Sequence, residues 1–542
     1  MIHGCAPPAA VRRSLAALPR LMCGPLLAAA IAFTPLAPAQ AQGTAPMATF
    51  EIRSFKVEGN TVLADADVEA ALAAFTGSVR SFADVQAAIA ALQALYARAG
   101  FGAVRVVLPE QQVASGSVRI EVVEVRLRQV SVEGPLRHFD AENVRRSLPA
   151  LRSGATPNTD DLARQLRLAN ENPARQLSVD LRGDPSGQVD ALVSELEDKP
   201  WKVGATFDDT GTPSTGRTRI GGFFQHANVA GLDHVATLQY VTSPDRIGDV
   251  TIAALNYRIP LPSLGDSLDL FGVYADVDAG VVSDLFNVRG RGTVAGAHYT
   301  HTLRPTAEYQ HRWIVGLERR KVDNRIGLVG SSPDLVPDVV LQPASVGYAA
   351  TRSEAGGRVD LSITAVRNLP TGGQAADIAA ARAGANPRYT IARYAANVAQ
   401  ALPRDWQLSV AVEGQYTPQA LVSAEQFGIG GHDSVRGFLE REVTGDQGAR
   451  VSLELQTPNF GAQIAPDLLA RLHVFSDRGW VRRNHALPGE VESTMISSLG
   501  AGLRATIAPA WQVRLDAAHV MNGGTVRRRG DERIHFSIGY AY

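Results

Sequence analysis

Arg533-Ile534-His535-Phe536-Ser537-Ile538-Gly539-Tyr540-Ala541-Tyr542 is the stretch that decides the fold. Successive side chains of a strand point to opposite sides, so Ile534, Phe536, Ile538, Tyr540 and Tyr542 share one face. Arg533, His535, Ser537, Gly539 and Ala541 share the other. Ten residues are enough to cross a bilayer as a tilted strand, with the apolar row toward lipid and the other toward a lumen. A soluble sandwich strand can alternate in the same way, and repetition along the chain decides between the two. Trp511, Val513, Leu515 and Ala517 alternate with Gln512, Arg514 and Asp516. Trp406, Leu408, Val410 and Val412 alternate with Gln407, Ser409, Ala411 and Glu413, and Val451, Leu453 and Leu455 with Arg450, Ser452 and Glu454. The repeated period of two predicts a membrane β-barrel.

Working outward, strands are predicted near 201–208, 217–227, 233–243, 248–260, 267–278, 291–302, 308–321, 344–352, 356–366, 390–401, 406–416, 449–456, 469–477, 495–507, 511–520 and 533–542. That is a sixteen-stranded antiparallel barrel over residues 199–542. The connections Asn228–Leu232, Leu303–Ala307, Pro403–Asp405 and Ala508–Ala510 are short, whereas 322–343, 367–389 and 417–448 are long. Short periplasmic turns and long external loops are the pattern of an outer-membrane barrel. An even strand number returns both barrel ends to the periplasmic side.

Ahead of the barrel stand two units of one order, strand, helix, helix, strand, strand. In the first, over 50–125, strand Phe50–Glu58 and Gly59-Asn60 precede helices Asp65–Phe75 and Ser81–Ala99 and strands Val104–Leu108 and Val118–Val125. In the second, over 126–198, strand Val130–Glu133 and Gly134-Pro135 precede helices Asp140–Leu148 and Thr159–Asn172 and strands Leu177–Arg182 and Val189–Glu197. Residues 1–41 carry Arg12, Arg13 and Arg20, an apolar run Leu21–Phe33 and the small-residue site Ala39-Gln40-Ala41, which predicts a secretory signal peptide. Both cysteines, Cys5 and Cys23, fall inside it. An exported chain without them must be held by packing and a closed hydrogen-bond network rather than by disulfides.

Two such units before a sixteen-stranded barrel resemble the two-partner-secretion transporters, the TpsB type or ShlB/FhaC/HecB family, whose units are periplasmic POTRA domains. Phe55-Lys56-Val57-Glu58-Gly59-Asn60-Thr61 is similar to the family's opening strand and turn, and Tyr96–Phe101, followed by Val104–Pro109 and Gln111, to the end of its first POTRA domain. Val435-Arg436-Gly437-Phe438 resembles the signature of the family's inward loop, and Phe475-Ser476-Asp477-Arg478-Gly479, with Phe475, Asp477 and Gly479 its marked positions, that of an inner barrel wall. Parity places Arg471, His473, Phe475 and Asp477 inward, since Leu472 and Val474 face lipid. If the loop enters the lumen, the Arg436 guanidinium can pair bidentately with Asp477, which a lysine would not reproduce. Without the resemblance, a solvated Arg436 and an Asp477 lining a wet pore account for the spacing equally well. Family members commonly carry an N-terminal plug helix. Here only Gln42–Thr49 lies between the predicted cleavage site and the first strand, too few residues for a spanning helix and a linker, so none is expected.

The family implies passive export of an unfolded partner across the outer membrane, the partner being a secreted β-helical exoprotein (TpsA type) such as a haemolysin, adhesin or contact-dependent toxin. Edge strand Leu177–Arg182 of the second unit, with Leu177, Val179 and Leu181 on one face, is the candidate capture surface, because free strand edges pair with extended chains. With 53 Lys and Arg against 54 Asp and Glu, the chain has no electrostatic footprint for nucleic acid. It lacks a phosphate loop, a G-x-S-x-G elbow and H-E-x-x-H, so no enzyme activity, cofactor or metal is predicted. Gly500-x-Gly502-x-x-Ala505 lies inside a barrel strand and is discounted as a dinucleotide motif. Other expected partners are outer-membrane lipid or lipopolysaccharide and, during biogenesis, the barrel-assembly machinery; a monomer is expected. Arg527, Arg528 and Arg529 fall in the last external loop, where a solvated face or a lipopolysaccharide contact would account for them. The rival functions are an insertase of the same superfamily and a diffusion porin, which would leave residues 50–198 unused.

Overall fold

The computed structural model describes residues 49–112, 116–183, 188–282, 286–304, 306, 308–328, 336–371 and 374–542. The predicted signal peptide, with both cysteines, and residues 42–48 lie outside them. From Trp201–Asp208 to Glu532–Ala541, antiparallel strands close into a barrel, the last pairing with the first through Phe207↔Ile538. Val339–Leu341 and Pro343–Glu354 pair with one strand, Tyr309–Leu328, in one register, with Gln342 between them. Counted as one interrupted strand, they make the total sixteen.

The outward face is apolar, and rings collect at its periplasmic end: Trp201 with Tyr542, Trp511 with Tyr540, and Trp313 with Tyr348. Aromatic girdles of this kind mark the level where the hydrocarbon meets water. Four strands outrun their predicted lengths by five residues or more, Asp266–Val282, Phe286–Thr302, Tyr309–Leu328 and Leu468–Arg482. Past the lipid the outward side chains turn polar, as at Arg289, Arg291 and Lys321, so the alternation fades while the backbone ladder continues. Predicted loop 322–343 is correspondingly shorter. Loop 367–389 contains the helix Gln374–Ala381, and loop 417–448 contains a small hairpin, Phe427–Ile429 with Val443–Gly445.

In the first unit, strand Ser54–Glu58 runs parallel to Ser117–Val123, which pairs antiparallel with Arg105–Val107. Helices Asp65–Leu72 and Phe82–Arg98 cover the sheet, the second opened by a capping box of Ser81 and Asp84. Leu92, Tyr96 and Ile120 are fully buried in this core, each worth roughly 1.5–3 kcal/mol if an apolar side chain of that size is taken from water. Gly59 turns the chain at a φ of 88°, where a Cβ would stand 2.3 Å from the Val122 carbonyl oxygen, so only glycine fits. Predicted strand Phe50–Glu58 is broken at Arg53, and Phe50–Ile52 pairs instead with Gly77–Arg80, a strand hidden between the two helical patterns.

The second unit has the sheet order Arg126–Glu133, Gln188–Glu197, Arg175–Gly183, which leaves the last at an edge. Helices Ala141–Ser147 and Thr159–Asn170 are capped by Asp140 and Asn158. This unit grips the first periplasmic turn of the barrel. Arg175 Nη2 donates to Asp233 Oδ2 at 2.7 Å, Asn143 Nδ2 to the Gly231 carbonyl at 2.8 Å and Asn172 Nδ2 to the Ala227 carbonyl at 2.7 Å. Phe139 and Ala174 pack with Ala227 and Val235 alongside. Glu195 lies beneath, and burial pushes its carboxyl up to about 7 despite the guanidinium of Arg175, 3.9 Å away.

Candidate functional site

The loop between strands Gln407–Tyr416 and Gln447–Gln456 folds into the barrel. Its Ile429, Val435, Phe438 and Val443 are packed against Val481, Ile496 and Val520 of the wall, all 4% exposed or less. Those wall residues stand at lumen-facing positions, where a water-filled pore would have polar side chains. An apolar patch on the inner wall therefore gives the loop a seat.

Arg436 is at the loop's tip and 3% exposed. Its Nε donates to Asp477 Oδ2 at 2.7 Å and its Nη2 to Asp477 Oδ1 at 2.9 Å, a bidentate fork. Its backbone N–H also reaches Asp477 Oδ2, at 3.1 Å. The remaining nitrogen, Nη1, donates to Glu454 at 2.9 Å and stands 3.5 Å from Asp516. Ser452 Oγ donates to Asp477, and the Phe475 ring lies 3.4 Å from the guanidinium carbon. A planar cation with five donors satisfies this arrangement, and an ammonium could not fill the fork or stack flat on the ring. Around it, Arg504 binds Glu454, and Arg514 links Asp516 to Asp433 of the loop.

The neighbouring signature residues shape the seat. Gly437, at a φ of 96°, donates its N–H to His535 Nε2 at 2.9 Å, and a Cβ there would crowd Ala518 at 3.2 Å. A Cβ on Gly479 would come within 3.1 Å of Ile429 and 3.2 Å of Val435, so its absence lets the loop close against the wall.

A second anchor holds the loop's shoulder. Glu425, 1% exposed, accepts from Arg320 Nη1 at 2.9 Å and Arg393 Nη2 at 2.8 Å, which come from Tyr309–Leu328 and Thr390–Ala401. At the loop's end Asp446 is bound through both oxygens by Arg382, just beyond the helix Gln374–Ala381. In the last external loop, the Val526 and Arg527 amides donate to Glu442, which ties that turn to the inward loop. Glu454, Ser452 and Asp516 were missed as partners of Arg436, and Glu425, Arg320 and Arg393 were missed altogether. The signal available was charge at lumen-facing parity, as in Glu318 and Arg320.

On the second periplasmic unit, Leu177 is buried and Leu181 is 37% exposed. Leu177 N–H donates to Asn170 Oδ1 at 2.6 Å and its carbonyl accepts from Asn170 Nδ2 at 2.9 Å, so at this residue the edge is already occupied by a side chain of the unit itself. Because edge-facing groups recur every second residue, those of Val179 and Leu181 point the same way, with no partner among the described residues. The free edge therefore begins at Val179.

The haemolysin secretion/activation protein family ShlB/FhaC/HecB matches residues 187–505, and the ShlB-type POTRA domain matches residues 50–124. The chain belongs to the ShlB/FhaC/HecB family. The outer membrane transporter CdiB of Escherichia coli is 24% identical over 470 residues, covering 84% of this chain and 76% of its own. The heme/hemopexin transporter protein HuxB of Haemophilus influenzae is 20% identical over 474 residues, covering 82% and 78%. The solved structure of CdiB from Escherichia coli superposes with a TM-score of 0.74 at 20% identity over 93% of both chains. The protein is thus an outer-membrane transporter of the two-partner secretion type, with its POTRA units in the periplasm and a secreted protein as its cargo.

Proposed function

We propose that the POTRA edge beginning at Val179 captures an unfolded, β-helix-forming exoprotein (TpsA type), and that the barrel conducts it outward when the loop carrying Arg436 leaves its seat. The observation that carries this reading is how the loop is held. Ion pairs and side-chain packing fix it in the lumen, so it can be displaced as one piece without unfolding the wall. A strand edge binds backbone with little demand on sequence, which suits a long unfolded cargo, and folding outside draws the chain forward. No covalent step, cofactor or nucleic acid enters this scheme. The barrel works as a monomer, is inserted by the barrel-assembly machinery and is bathed by outer-leaflet lipopolysaccharide. An insertase or a diffusion porin would have no need of a dedicated cargo.

A disulfide lock tests the reading. Val435 and Gly479 face each other closely enough for a bridge. The Val435→Cys/Gly479→Cys protein should stop exporting its exoprotein cargo when oxidised and resume under reductant, while Val435→Cys alone exports in both conditions and Gly479→Cys alone, whose Cβ crowds the seat, shows no dependence on reductant. Export through the locked barrel would refute the displacement of the loop.

A further inference from the structure

The outer wall of the barrel carries a groove of about 580 Å³ across strands His234–Thr242, Val250–Leu261, Asp266–Val282, Phe286–Thr302 and Tyr309–Leu328. Its floor is one outward-facing row, Leu238, Leu255, Gly272, Ala295 and Arg319, each the cross-strand partner of the next. Small residues make the dent, and the fold does not require them. Gly272 has no left-handed φ, and a Cβ there would meet nothing nearer than the Val294 carbonyl oxygen at 3.9 Å.

Cations close one end. Arg319 and Lys321 line the groove there, next to the exposed Leu317. Lys321 contacts Asp323 at 2.7 Å, whereas Arg319 makes no ion pair among the described residues. The height of each end follows from the strands. Arg319 stands ten residues in from Tyr309, the periplasmic end of its strand, and Leu238 only four in from His234. At about 3.4 Å per residue and a tilt near 40°, ten residues rise roughly 26 Å, the height of the apolar band. The cationic end is therefore level with the outer-leaflet headgroups, and the groove descends from it into the hydrocarbon.

We propose that this groove holds one phosphorylated glycolipid of the outer leaflet, its phosphate on Arg319 and Lys321 and one acyl chain over Gly272 and Leu255. The proposal rests on the outer-membrane placement of the barrel, and it is independent of how the lumen is gated. Charge complementarity selects the occupant, since an unpaired guanidinium beside an ammonium at headgroup height favours a doubly charged phosphate over a neutral lipid.

Full-length protein, delipidated in detergent, would be mixed with bis-phosphorylated lipid A or with phosphatidylglycerol and examined by native mass spectrometry. The wild type should retain one lipid A. Retention should fall tenfold or more in the Arg319→Glu/Lys321→Glu protein, and also in Gly272→Leu, which fills the groove without touching charge. Arg527→Glu, in the last external loop, should retain it. Undiminished retention by either groove variant with wild-type circular dichroism would overturn the site, and equal retention of phosphatidylglycerol would overturn the glycolipid as its occupant. Export activity reports separately on the transporter reading, so the two can fail independently.

Discussion

Arg436 and Asp477 meet as a bidentate pair with both side chains almost wholly excluded from solvent, at 2.7 and 2.9 Å, one from the tip of a loop and the other from the barrel wall. Removing one partner of a buried pair leaves the other charge uncompensated, at a cost of about 3–5 kcal/mol. Here Arg436→Ala would leave the buried Asp477 without its cation, whereas Glu454 and Asp516 would keep Arg504 and Arg514. Arg436→Ala and Asp477→Ala should each lower export at least tenfold and raise single-channel conductance while heat-modifiable barrel still forms. The double variant should be no worse than either single, because the two act as one unit. Additive losses would show that they do not. Arg436→Lys should not rescue, having neither the fork nor the flat face that lies on Phe475.

The Glu425 anchor predicts a different phenotype. Glu425→Gln keeps the shape of the side chain but leaves Arg320 and Arg393 without their shared carboxylate. The tip stays seated, so the channel should flicker between partly open levels rather than open fully. Since Glu425 and Arg436 share no partner, combining Glu425→Gln with Arg436→Ala should give additive changes in open probability in bilayer recordings. A Glu425→Gln trace indistinguishable from wild type would show the shoulder contact to be passive.

What could be read from the sequence follows from where its periodicity is physically enforced. Lipid permits only apolar side chains on one face, so Ile534, Phe536 and Ile538 announce their strand, and the same parity puts Asp477 and His535 inward. Above the membrane nothing enforces the pattern, and the upper ends of Asp266–Val282 and Phe286–Thr302 were lost with it. Gly77–Arg80 was lost for another reason, being four residues long between two helices. The seat of the loop was hidden too. Val481, Ile496 and Val520 contradict the polar lumen that parity predicts, and only the loop folded against them explains why. Ion pairs such as Glu425 with Arg320 join residues more than a hundred positions apart, which no local pattern reports.

For cargo capture, the occupied edge at Leu177 narrows the test to Val179. Its N–H faces the open side of the sheet, so Val179→Pro removes an edge donor without breaking a bond to Gln188–Glu197. Binding of exoprotein segments to the full-length transporter in detergent should weaken tenfold or more, roughly 1.4 kcal/mol. Asn170→Ala should have the opposite effect by uncovering the Leu177 backbone. Undiminished binding by a folded Val179→Pro protein would move capture away from this edge.

The last prediction concerns the joint between the second POTRA unit and the barrel. Burial raises the Glu195 carboxyl from its ordinary 4.5 to about 7; Arg175 opposes the shift, while Glu197 and Asp233 add to it. The folded joint therefore binds a proton more tightly than the unfolded chain does. Its contribution is complete below about pH 4.5, is lost as pH rises through the interval to 7, and is flat above that. Arg175 also holds Asp233 of the barrel turn, so loosening Glu195 should loosen the grip on that turn. Hydrogen exchange of segment 175–197 in the full-length protein should be several-fold faster at pH 8 than at pH 5, after correction for the intrinsic rate. Glu195→Gln, which stays neutral, should be as protected at pH 8 as the wild type is at pH 5. A pH response that survives Glu195→Gln would assign the titration to another group.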